Sequence, residues 1–175
     1  MKKLSVIVAG AAVAAVAFGA PAVATAASAP ADVGTARHVQ VAAHGALPTE
    51  AEISALFDRW NTLVEAGDPE ALADIYAPDA VLLPTLSPEV RTDRAGIVDY
   101  FEDFLAKNPS GERTLSVIDV LDKNTAIDTG LYTFTFTAAD GTKTYADARY
   151  TFVYEKRGGE WLIINHHSSL LPAAS

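Results

Sequence analysis

The stretch Tyr145–Leu171 reads Y-A-D-A-R-Y-T-F-V-Y-E-K-R-G-G-E-W-L-I-I-N-H-H-S-S-L-L. Two runs flank Gly158-Gly159. The first is aromatic and β-branched; the second starts at Trp161 and ends in a polar cluster. A Gly-Gly pair between such runs predicts a β-hairpin. With the tip at the glycines, Lys156 faces Trp161, Val153 faces Ile164, Thr151 faces His166 and Arg149 faces Ser168. Side chains alternate along a strand. Arg149, Thr151, Val153, Leu162, Ile164, His166 and Ser168 then share one face, and Tyr150, Phe152, Tyr154, Ile163, Asn165 and His167 the other. A slip of one residue exchanges the two sets.

Upstream, Ile127–Thr137 reads I-D-T-G-L-Y-T-F-T-F-T, and Asp140-Gly141 follows, a pair favoured in two-residue hairpin turns. That tip sets Phe134 opposite Asp147 and Tyr132 opposite Arg149. Asp128, Tyr132, Asp147, Arg149, Thr151, His166 and Ser168 then converge on one face, polar at one end and apolar toward the other. Such a surface is the floor of a ligand pocket. The candidate ligand-binding residues are Tyr132, Asp147, Arg149, Thr151, His166 and Ser168.

The chain has 175 residues, half of them hydrophobic, which is one domain with a real core. Residues 1–26 have the layout of a secretory signal: Lys2-Lys3, an apolar run from Val6 to Phe18, and Ala24-Thr25-Ala26 before the cut. The alternative, a retained anchor, is disfavoured by a short run rich in Ala and Gly. The expected location is therefore outside the cytoplasm. Removing the two lysines takes the formal net charge from −9 to −11. So acidic a chain has no electrostatic footprint for nucleic acid, and nothing in it points to a membrane surface after cleavage. It has no cysteine, which excludes disulfides, thiol catalysis and Cys-ligated metals. Residues 27–47 lack a sustained period and read as a disordered spacer.

The folded domain is expected over 48–172. Thr49 and Glu52 have capping-box spacing, and Ile53, Leu56, Phe57, Trp60, Leu63 and Val64 recur at helical spacing up to Gly67. Asp68-Pro69 opens a second helix through Leu72, Ile75 and Tyr76, ended by Ala77-Pro78. A short strand, Ala80–Leu83, stops at Pro84, and Asp93 caps a third helix that closes at Asn108–Gly111. Strands follow over 115–121, 126–137, 144–154 and 161–170. Three helices before a run of antiparallel strands make an α+β plan. The helices can cover only one sheet face. Leu131, Tyr150, Phe152, Tyr154 and Ile163, opposite the pocket face, would be left bare, so a partner subunit is expected there, most simply a second copy.

G-D-P-E-A-L-A-D-I-Y-A-P-D-A-V-L-L-P (67–84), D-T-G-L-Y-T-F-T-F (128–136) and A-R-Y-T-F-V-Y-E-K-R-G-G-E-W-L-I-I-N-H-H-S-S-L-L-P (148–172) resemble bacterial homologues of the calcium/calmodulin-dependent protein kinase II association domain. That family lies in the nuclear transport factor 2-like superfamily, with the SnoaL-like polyketide cyclases. The resemblance implies a cone, a curved antiparallel sheet wrapped by three helices. It also implies dimers through the sheet face, or larger rings, and an arginine-lined pocket reached from the strand ends. Arg149 and His166–Ser169 stand in the matching region. Ser168 takes a place where the kinase hub carries an arginine, which departs from the hub's preference for anions. The chain has no kinase glycine-rich loop, H-R-D or D-F-G, so no kinase activity is implied.

Two functions fit the resemblance. One is a secreted, self-associating module that binds an unknown small molecule. The other is a SnoaL-like isomerase or cyclase, or an oxidoreductase-type enzyme, acting on a hydrophobic carbonyl compound. In the enzyme, Asp128 or Asp147 would be the base, and His166 or Tyr132 would polarise the carbonyl. Against it, Asp147 and Arg149 make a simple ion pair on one face, and no catalytic residue is assigned. Adjacent His166 and His167 point to opposite faces and cannot share a metal ion. Ser168 and Ser169 sit on a strand and not on a nucleophile elbow. No metal and no cofactor is implied.

Overall fold

The structure is a computed structural model and describes residues 46–172. The expected signal, and all of the expected spacer before Ala46, lie outside the described residues. Helix α1 (Glu50–Ala66) starts at Thr49, whose hydroxyl accepts from the Glu52 amide while the Glu52 carboxylate accepts from the Thr49 amide. It ends at Gly67, whose φ of 75° suits a residue without Cβ. Helix α2 (Pro69–Ala73) is capped by Asp68 and α3 (Arg94–Leu105) by Asp93, as the sequence predicts.

Five strands follow the order β1-β5-β4-β3-β2 in one sheet: β1 (Tyr76–Leu83), β2 (Pro109–Val120), β3 (Thr125–Thr137), β4 (Lys143–Arg157) and β5 (Glu160–Leu170). All neighbours are antiparallel except β1, which lies parallel to β5. The sheet is mixed, and α2 is shorter than expected. Ile75 and Tyr76 leave the helix because the Ile75 carbonyl accepts from the Ile163 amide, so the chain is already at the sheet. Pro78 is tolerated because β1 is an edge strand. Pro109–Gly111 do not merely end α3. They begin β2, and Gly111 is held by Asn61 of α1 through both its amide and its carbonyl.

The two hairpins decide which side chains face the helices. The β4–β5 tip is Gly158-Gly159 as predicted, with φ of 63° and 96° and Arg157 opposite Glu160. The pairing then shifts: Tyr154 lies opposite Ile163, but Val153 lies opposite Asn165. Ile164 is the extra residue of a β-bulge. The β3–β4 loop is also one residue out of the expected phase. The Gly141 amide bonds to the Ala138 carbonyl, Ala138 and Thr142 pair, and Gly141 is left-handed at φ 82°. That is a three-residue loop, not a two-residue turn. Tyr132 therefore faces Ala148, and Asp147 faces Thr133.

These two shifts correct the expected faces. Tyr132, Phe134, Tyr150, Phe152, Tyr154, Ile163, His166 and Ser168 are all buried against the helices. Phe57 and Trp60 of α1 pack on Tyr132, Tyr150 and Phe152 with ring centroids 5.3–6.4 Å apart. Phe104 of α3 meets Phe134 edge-on at 5.2 Å. Tyr150, Phe152, Tyr154 and Ile163 are thus core and not a subunit interface. The face turned away from the described helices carries Leu115, Val117, Thr129, Leu131, Arg149, Thr151, Val153 and His167. Leu115 and Val117 are 50% and 58% exposed.

Candidate functional site

The expected cluster of ligand-binding residues divides between the two faces. Tyr132, His166 and Ser168 point inward, together with Asp128; Asp147, Arg149 and Thr151 lie on the outer face. Asp147 and Arg149 form no ion pair. Asp147 accepts a 2.7 Å bond from the Thr133 hydroxyl, and the Arg149 guanidinium donates to the Ser169 hydroxyl at 3.0 Å.

The inner residues fall into three hydrogen-bonded groups. In the first, the Trp60 indole N–H donates to the Tyr76 hydroxyl at 3.0 Å, and that hydroxyl lies 2.9 Å from His166 Nδ1. The His166 ring stacks on Phe152 with centroids 4.0 Å apart and meets Trp60 edge-on. Burial among these rings, with a smaller contribution from the nearby His167, lowers the imidazole pKa to about 3. His166 is therefore neutral at ordinary pH. Burial likewise raises the Tyr76 hydroxyl well above its ordinary value.

In the second group, the Tyr132 hydroxyl donates to Ser168 Oγ at 2.5 Å, and Ser168 in turn bonds Thr85. Burial holds the Tyr132 phenol above its ordinary range. Thr85 belongs to the loop after β1, which closes on itself where Leu82 and Arg91 exchange backbone hydrogen bonds. A surface cavity of about 360 Å³ lies between this loop and the end of β5, lined among others by Thr85, Ser87, Glu89, His167 and Ser168. Ser168 thus joins that cavity to the interior.

The third group surrounds Asp128, which is fully buried. Its carboxylate accepts from Ser116 at 2.7 Å and Tyr150 at 3.0 Å, and pairs with Arg113 at 3.4 Å. Arg113 also bonds Ser54, pairs with Asp58 of α1 and lies over the Phe57 ring. Burial raises the Asp128 carboxyl, and those partners oppose the rise. A carboxylate held by three donors and linked to α1 ties helix to sheet. Gly130 makes this possible, because a Cβ there would stand 2.8 Å from the Tyr150 hydroxyl and 1.9 Å from the Leu115 carbonyl.

Sequence reasoning missed Tyr76, Thr85 and Arg113 as site residues. The sequence places Tyr76 at a helix end and singles out neither Thr85 nor Arg113. Their alternation gives no signal, because a bulge and loop closure bring them in. Among the described residues, no cluster of three or more His, Asp or Glu side chains is placed to hold a metal ion.

The family model of the calcium/calmodulin dependent protein kinase II association domain matches residues 49–172. No curated protein matches the chain. A solved structure from Xanthomonas campestris, described as a calcium/calmodulin dependent protein kinase II association domain, is 53% identical, with a TM-score of 0.70 over 74% of this chain and 95% of that one. An NTF2-like protein with a cystatin-like fold from Novosphingobium aromaticivorans is 17% identical at TM-score 0.60, covering 71% of this chain and 83% of its own. A protein of the same organism described as an aromatic ring hydroxylase is 20% identical at TM-score 0.61, covering 70% and 89%. The last two share the fold alone. The helices on one side of a five-stranded sheet form the nuclear transport factor 2-like cone, and the chain belongs to the calcium/calmodulin dependent protein kinase II association domain family.

Proposed function

We propose that this protein is an exported, self-associating module with a small-molecule pocket and no kinase activity. The observation that carries the reading is the uncovered sheet face. Leu115, Val117, Leu131 and Val153 lie in adjacent rows with no helix of the described residues over them. Among the described residues every helix is committed to the other face or to its rim. The apolar side chains of this mixed face are stabilised when a second copy covers them, and an isologous sheet-to-sheet dimer is the simplest closed assembly. Membership of an association-domain family supports the same assembly. The signal-like segment 1–26 supports export. The pocket is the cavity beneath the loop after β1, with Thr85 and Ser168 at its floor.

Light scattering on the size-exclusion peak of the purified protein tests the assembly. A dimer or a larger ring is expected. A monomer at micromolar concentration would overturn the self-association reading. The enzyme alternative has less support: Asp147 faces outward, and Asp128 is occupied by three donors.

A further inference from the structure

The chain Trp60–Tyr76–His166 has a direction. An indole N–H can only donate, so the Tyr76 oxygen accepts from Trp60. The single Tyr76 proton is then free to donate to the other neighbour, His166 Nδ1, 2.9 Å away. Nδ1 is thereby the acceptor nitrogen, and the proton of the neutral ring sits on Nε2. Nε2 is buried and has no partner among the described residues. Buried N–H groups in native proteins are paired, with protein, water or ligand.

We infer that His166 Nε2–H holds one neutral acceptor oxygen inside the cone. A charged acceptor does not suit the place. The rings around His166 are those of Phe152, Trp60 and Tyr76, and Arg113 is already committed to Asp128 and Asp58. A buried anion without a counter-charge loses its hydration with nothing to replace it. A carbonyl oxygen or a water molecule costs no such penalty. Tyr154, whose buried hydroxyl also has no partner among the described residues, stacks on the same Phe152 ring. Ser168 is two residues along β5 on the same inner face and lines the surface cavity, which is therefore the nearest solvent-facing space along that strand. The two sources of the oxygen are internal water and the carbonyl of a ligand. The ligand source rests on the pocket proposed above.

The test is nitrogen NMR of the ¹⁵N-labelled full chain at neutral pH. The expected spectrum has Nδ1 of His166 pyridine-like and Nε2 protonated, with a cross-peak from Nε2–H to water. Cyclohexanone is then titrated in, with benzoate as the charged counterpart. Loss of the water cross-peak with a saturable Nε2 shift identifies a ligand carbonyl. A water cross-peak that survives cyclohexanone identifies a trapped water, and removes the pocket from the proposed function while leaving the assembly untouched. An Nδ1–H tautomer, a charged ring, or an Nε2–H with neither a water contact nor a ketone response would overturn the inference. So would a benzoate shift equal to that of the ketone. A monomer by light scattering would remove the assembly alone.

Discussion

Replacing His166 by Phe should flatten the acid limb of the stability curve. The unfolded imidazole titrates near its ordinary value of 6.5, and burial lowers the folded one to about 3. Between those values the unfolded chain binds a proton that the folded chain refuses. Stability is therefore fully present above the unfolded pKa and is lost as pH falls toward the folded one. Linkage gives a loss of about 2 kcal/mol near pH 5 and about 3 kcal/mol near pH 4. Asp128 works the other way. Its folded carboxyl is raised, so its contribution declines as pH rises above 3.8. Comparing wild type with His166→Phe cancels that term, since Asp128 is present in both. At about pH 8 the variant should be the less stable of the two, because it strands the Tyr76 hydroxyl proton at about 1–3 kcal/mol, a cost that does not change with pH. Urea unfolding followed by tryptophan fluorescence, at fixed protein concentration, measures the gap. The variant should gain about 3 kcal/mol on wild type between pH 8 and pH 4. A gap that stays constant across that range would refute the burial argument.

Four further outcomes are expected. Asp128→Asn should lower stability by about 2–4 kcal/mol in the same assay, because it breaks a buried pair and leaves Arg113 only its bonds to α1. An unchanged denaturation midpoint would show that the pair is dispensable. Gly130→Ala should cost at least about 2 kcal/mol, since its Cβ meets a backbone carbonyl and displaces the Tyr150 hydroxyl from Asp128; a fully folded variant of wild-type melting temperature would contradict the packing. Val117→Glu, on the exposed outer face, should reduce the solution mass to that of a monomer while the circular dichroism spectrum stays unchanged. Tyr150→Glu should instead unfold the protein, since Tyr150 lies in the core.

The local elements were legible in the sequence because each rests on neighbours in the chain. Thr49 and Glu52 cap α1 by reaching three residues, Asp68 and Asp93 cap their helices the same way, and Gly158-Gly159 turns the last hairpin with two left-handed residues. The α+β plan follows from the order and patterning of those elements. The faces themselves were not legible. A strand has a period of two, so one extra residue inverts every side chain beyond it. Asp140-Gly141 fits a two-residue turn as well as the end of a three-residue loop, and nothing beside Ile164 marks it as a bulge. Only packing selects between them. His166 and Ser168 turn inward because β5 must pair with β4 on one side and β1 on the other while Tyr154, Phe152 and Tyr150 fill the space beneath α1. Capping and turn formation are settled over a few residues, whereas the register of a sheet is settled by the volume its whole inner face must fill.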